Sequence, residues 1–145
     1  MKKNISITGI HKYEHTKKID LPLFIARVPA GFPSPADDYL DKKLDLNELL
    51  IQHPAATFFV RVEGDSMREA GIHSGDTLIV DRALRPKDGQ VVIAVLHGEL
   101  TVKRIKKMKN KIFLVPENKD FMPIEVPADA SFEVWGVVTY VIHKL

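Results

Sequence analysis

From Thr57 onward, apolar and polar residues alternate in short runs, and turn residues break the runs at regular intervals. The runs are Thr57–Val62, Thr77–Asp81, Gln90–Leu96, Glu99–Ile105, Lys111–Val115 and Phe132–Ile142. All are rich in β-branched and aromatic side chains, which suit a pleated, half-buried surface. Between them lie Glu63-Gly64-Asp65, His73-Ser74-Gly75-Asp76, Lys87-Asp88-Gly89, His97-Gly98 and Pro116-Glu117-Asn118. His97-Gly98 predicts a tight hairpin, because the two central residues of such a turn need positive φ. Many short strands with regular turns predict a mainly β fold of antiparallel strands.

Upstream the pattern changes. Residues 1–20 hold five lysines against Glu14 and Asp20 without a sustained apolar period, and so predict a basic, poorly ordered arm. Leu21–Pro35 is apolar and carries Pro22, Pro29, Pro33 and Pro35. Proline fixes φ and biases its predecessor toward extended geometry, which predicts an extended tether suited to docking in a groove. Ser34-Pro35 and Asp45-Leu46-Asn47-Glu48 carry helix-start signals, and Pro54 stops the second. One or two short helices are expected between 35 and 52.

Composition narrows the chemistry. The chain has 145 residues, enough for one domain with an appended arm, and 45% hydrophobic with 28% charged residues is a globular balance. With no cysteine, disulfide scaffolds, thiolate metal sites and cysteine nucleophiles are excluded. Of the six histidines only His11 and His15 stand at helical spacing, in a stretch with no helical period, and no glycine run matches a phosphate-cradling loop, so neither metal nor cofactor is expected. No apolar run approaches the roughly 20 residues of a spanning helix, so no membrane partner and a cytoplasmic location are expected. The basic run Lys103–Lys111 has no aromatic residue to stack on bases. A solvated hairpin is therefore the better reading, and direct DNA binding is not expected.

Val62-Glu63-Gly64-Asp65-Ser66-Met67 is the informative element: a strand runs out into glycine and a serine sits at the turn. A serine lifted clear of a sheet can act as a nucleophile when a base lies nearby. His73 and His97 are candidate bases, and so is a lysine whose pKa is lowered toward neutrality by burial. Lys103 alternates in register with Thr101 and Ile105, so an inward Thr101–Lys103–Ile105 face would strip its ammonium of water.

At these residues the sequence resembles the self-cleaving Ser–Lys peptidases of the bacterial SOS response, the LexA and UmuD family. Gly64-Asp65-Ser66-Met67 matches the family's motif around its nucleophile. Gly71-Ile72, Gly75-Asp76, Leu78–Asp81, Val102-Lys103-Arg104, Leu114–Asn118 and Gly136-Val137-Val138 continue the match. Gly31–Ala36, Asp45-Leu46-Asn47 and Leu49–Pro54 resemble the UmuD branch. The stretch before Ala30 shows no helical period, so the DNA-reading helices of a repressor are not expected.

The resemblance implies a LexA/UmuD-like peptidase fold. It also implies Ser66 as nucleophile, Lys103 as general base and Ala30-Gly31 as the bond cut, with Ser66 and Met67 backbone N–H groups as an oxyanion hole. Residues 1–30 would be a removable arm and 31–145 the peptidase-like domain. The implied partners are a second copy of the chain, a RecA–single-stranded DNA filament and a UmuC-type translesion polymerase. A non-catalytic binding module of the same fold, regulating a polymerase or RecA filament, is the competing expectation.

Overall fold

The computed structural model describes residues 3–14, 20–24 and 40–145, and only the backbone of 20–24 and 40–44. The chain divides into two compact units, residues 14–54 and the remainder. In the smaller unit, β2 (Asp20–Phe24) pairs antiparallel with β3 (Leu40–Asp45), and α1 (Leu46–Leu50) follows. The Asp45 carboxylate accepts from the Asn47 N–H at 2.9 Å, the cap expected of that residue. One short helix thus forms between 40 and 52. Leu40–Asp45 is strand, not helix, because its backbone groups pair with β2. The Ser34-Pro35 cap, Ala30 and Gly31 lie outside the described residues.

The larger unit is one eight-stranded antiparallel sheet: β1 (Ser6–Lys12), β4 (Thr57–Glu63), β5 (Thr77–Asp81), β10 (Phe132–Ile142), β6 (Val91–Leu96), β7 (Glu99–Met108), β8 (Lys111–Val115) and β9 (Ile124–Glu125), in that spatial order. Six strands fall where the alternation predicts them. The His97-Gly98 hairpin joins β6 to β7 with φ of 52° and 78°. Two strands escape the pattern. β9 has two residues, too few to show a period. β1 corrects the expectation of a disordered arm over 1–20: its register shifts between Ile7 and Gly9, which interrupts the alternation. Ile5 and Tyr13 at its two ends are nonetheless buried.

Both faces of the sheet carry a core. One cluster joins Val60, Val62, Leu78, Val80, Ile93 and Val102, and the other joins Val92, Ala94, Ile105, Leu114 and Val137. β7 contributes to both, so its two faces are buried at mid-strand. β10 spans the middle of the sheet by changing register between Val134 and Gly136 and between Val138 and Tyr140, pairing first with β6 and then with β5. Among the described residues, no helix is long and apolar enough to cross a membrane.

Gly136 sits where a β-carbon would come within 2.6 Å of Val80 Cγ1 and 3.3 Å of Arg82 Cγ. Val80 is a stiff, fully buried side chain that has no room to yield. Gly136→Ala is expected to destabilise the fold by about 1–3 kcal/mol in urea unfolding; an unchanged midpoint would show that the sheet can spread at this point.

Candidate active site

β4 leads directly into the serine turn. Gly64 has φ +112°, a conformation that suits glycine, and its N–H donates to Ser74 Oγ at 3.1 Å. The turn is tied down beyond it: the Asp65 carbonyl accepts from the Arg68 N–H at 3.2 Å and from Asn118 Nδ2 at 2.8 Å. The Glu69 N–H donates to the Glu117 carbonyl at 2.7 Å, and Glu117 pairs with Arg104 on β7. Ser66 and Met67 are completely buried. Among the described residues, neither of their backbone N–H groups donates to another group, whereas those of Asp65 and Arg68 on either side do.

β7 brings Lys103 to this turn. Cross-strand register sets Lys103 opposite Val92 and Thr101 opposite Ala94, on the face that carries Ile105 and Leu114. The inward Thr101–Lys103–Ile105 face therefore forms, and Lys103 is only 2% exposed. Its Nζ lies 3.3 Å from Ser66 Oγ, 2.9 Å from Thr101 Oγ1, 3.1 Å from the Val102 carbonyl and 2.8 Å from Asn4 Oδ1. Burial lowers the Lys103 pKa from 10.5 to about 8, because the charged form loses its water. At neutral pH roughly a tenth of such amines are free to take a proton. Hydroxyl and amine at this separation can exchange one, so the arrangement can generate an oxygen nucleophile.

The other candidate bases lie elsewhere. His97 is exposed in the β6–β7 turn, and the exposed His73 ring faces His143 at 5.0 Å between centroids. The basic run divides: Lys103 points inward, while Lys106, Lys107, Lys109 and Lys111 are exposed on the β7–β8 hairpin. Three residues of the site were not assigned to it from sequence. Thr101 shows only as a register neighbour of Lys103, Asn118 only as part of a turn, and Asn4 gives no local signal at all. Among the described residues, no group of His, Asp and Glu side chains could hold a metal ion.

Residues 22–139 match the family model described as Peptidase S24-like. The chain belongs to that family. Among its relatives, Protein SamA of Salmonella typhimurium strain LT2 is 53% identical over 123 residues, which is 85% of each chain. Protein MucA of Escherichia coli is 46% identical over 121 residues, 83% of this chain and 82% of the relative. The LexA repressor of Shewanella pealeana is 39% identical over 133 residues, 90% of this chain and 64% of the repressor. The mainly β architecture agrees with an S24-like fold. Ser66 and Lys103 both fall inside the family match, whereas Asn4 and β1 precede it.

An amine with a folded pKa near 8 and an unfolded pKa of 10.5 burdens the fold when charged. The unfolded chain holds the proton more tightly, so the cost is complete below pH 8 and fades as pH rises to 10.5; the two values correspond to about 3 kcal/mol. Lys103→Met is expected to gain stability of about 1–3 kcal/mol in urea at pH 7, with the gain shrinking toward pH 10.5. A loss of stability at every pH would contradict a desolvated amine.

Proposed function

We propose that this S24-like protein is a self-cleaving serine endopeptidase that cuts its own Ala30–Gly31 bond. The observation that carries the reading is the pairing of a fully buried Ser66 hydroxyl with a buried Lys103 amine at 3.3 Å. Neutral Lys103 accepts the Ser66 proton, and Oγ attacks the Ala30 carbonyl carbon. The oxygen that becomes negative is met by the Ser66 and Met67 N–H groups, the two donors of the turn that have no other partner among the described residues. The C–N bond then breaks, and the proton on Lys103 passes to the Gly31 nitrogen as it leaves. Ala30 stays as an ester on Ser66 until water, giving its proton to Lys103, releases a carboxylate and restores the hydroxyl.

Small residues on both sides of the bond allow close backbone approach, and proline at positions 29, 33 and 35 favours extended backbone over helix. A cleft of about 490 Å³ runs beside Thr101, with Asn4, Ile5, Leu96, Leu100 and Ile124 on its walls. Its apolar walls suit an extended apolar segment. The product, residues 31–145, then acts in the cytoplasm as a dimer within an error-prone translesion polymerase, and a RecA–single-stranded DNA filament promotes docking of the bond. This part rests on the similarity to SamA and MucA and on the family resemblance of the motifs.

Purified chain incubated between pH 6 and 10 is expected to yield a new N-terminus at Gly31, detected by intact mass. The rate should rise about tenfold per pH unit below 8 and level off above it, following the neutral fraction of Lys103. Ser66→Ala and Lys103→Ala should both remain whole. An intact wild-type chain at alkaline pH, indistinguishable from Ser66→Ala, would leave the non-catalytic binding module as the better reading.

A further inference from the structure

The residues before β1 form one wall of the cleft and reach the Ser66–Lys103 pair. The Lys3 carbonyl accepts from the Asp65 N–H at 2.8 Å, and the Ile5 N–H donates to Ser66 Oγ at 2.9 Å and to Asn4 Oδ1 at 3.0 Å. Asn4 Oδ1 in turn accepts from Lys103 Nζ at 2.8 Å, the shortest bond the amine makes. The backbone comes so close that a β-carbon on Gly64 would lie 2.3 Å from the Asn4 carbonyl oxygen and 2.6 Å from Ile5 Cα. Ile5 is itself buried in the core cluster with Met67.

We infer that Lys3–Ile5 is a built-in plug, which occupies the site without being cut and holds the Ser66–Lys103 pair at rest. The inference rests on the reading of that pair as the cutting machinery. Two features make the segment an inhibitor and not a substrate. A peptide N–H points in the plane of its own amide, so an oxygen that accepts from Ile5 lies on the nitrogen side, toward that plane. Attack on the Asn4 carbonyl carbon needs an approach from above the plane. The hydroxyl is therefore aimed past the bond beside it.

The second feature is the count of acceptors around the amine. Apart from Ser66 Oγ at 3.3 Å, three closer acceptors surround it, Asn4 Oδ1, Thr101 Oγ1 and the Val102 carbonyl, and these match the three protons of an ammonium. Burial disfavours the charged amine, and no carboxylate pairs with Lys103 among the described residues, so these acceptors are what its protons meet. When the plug leaves, the two acceptors of β7 remain beside Ser66 Oγ, which matches the two protons of a neutral amine with its lone pair turned to Ser66. Asn4 is thus a positioning residue for the resting state. Because the family match begins at residue 22, this plug is carried by sequence outside the shared peptidase region.

The chain has no cysteine, which permits a reversible lock. Ser6 and Glu63 are register partners across β1 and β4, and both are exposed. Opposed residues stand close enough for a disulfide. In full-length Ser6→Cys/Glu63→Cys, formation of the Gly31 N-terminus is expected to be at least about tenfold slower oxidised than reduced, because the rate follows the fraction of open sites. Equal rates in the two forms, or a product that begins at Ile5, would overturn the plug. If neither form is cut, the self-cleavage reading fails, and the plug is decided by NMR titration of the Lys103 ε-methylene. A midpoint at lower pH in Asn4→Ala than in wild type supports it, and an unmoved midpoint rejects it.

Discussion

A lysine amine kept from water by the packed middle of a β-strand is the interaction on which this molecule turns. Lys103 is buried because both faces of β7 are covered, one by Val102 and its cluster and the other by Ile105 and its own. An amine in that position has few stable options: it must find acceptors or give up its proton. Thr101 and the Val102 carbonyl are acceptors that β7 supplies locally, so the strand carries both the group and part of its solvation. Its lowered proton affinity thus follows from sheet packing and needs no charged neighbour.

The serine is held by the same framework. β8 pairs with β7 and leads into Glu117 and Asn118, which bind Glu69 and Asp65 on either side of the serine turn. Arg104, next to Lys103, closes the loop by pairing with Glu117. Hydroxyl and amine therefore hang from two ends of one hydrogen-bonded hairpin, and their separation is a property of the sheet. With the pair already assembled, control falls to what binds it. Ile5 and Asn4, on the cleft wall, bind Ser66 and Lys103 respectively.

Much of the architecture is legible in the sequence because long antiparallel strands with one period speak for themselves. Phe132–Ile142 and Glu99–Ile105 are plain from alternation, and His97-Gly98 is plain from the φ values that a tight hairpin demands. β1 is not, since a bulge at Thr8 breaks a pattern already short, and its partner lies far along the chain. The site divides in the same way. Thr101, Lys103 and Ile105 share a face by spacing alone, but whether that face is dry depends on Val92 and Leu114, which only the fold brings alongside. Asn4 meets Lys103 across 99 positions with no local cue. Contacts of that range leave no trace in periodicity.

The seat of β1 has a consequence for the strand beside it. Thr57–Glu63 lies between β5 and β1, with residues 58–63 in register with the N-terminal segment. Were that segment to depart, the outer rim of β4 would present unmet amide and carbonyl groups beside Phe59 and Arg61. Such a rim is a template for strand addition. Loss of the arm would then expose an adhesive margin on the molecule by the same event that uncovers the serine and the amine.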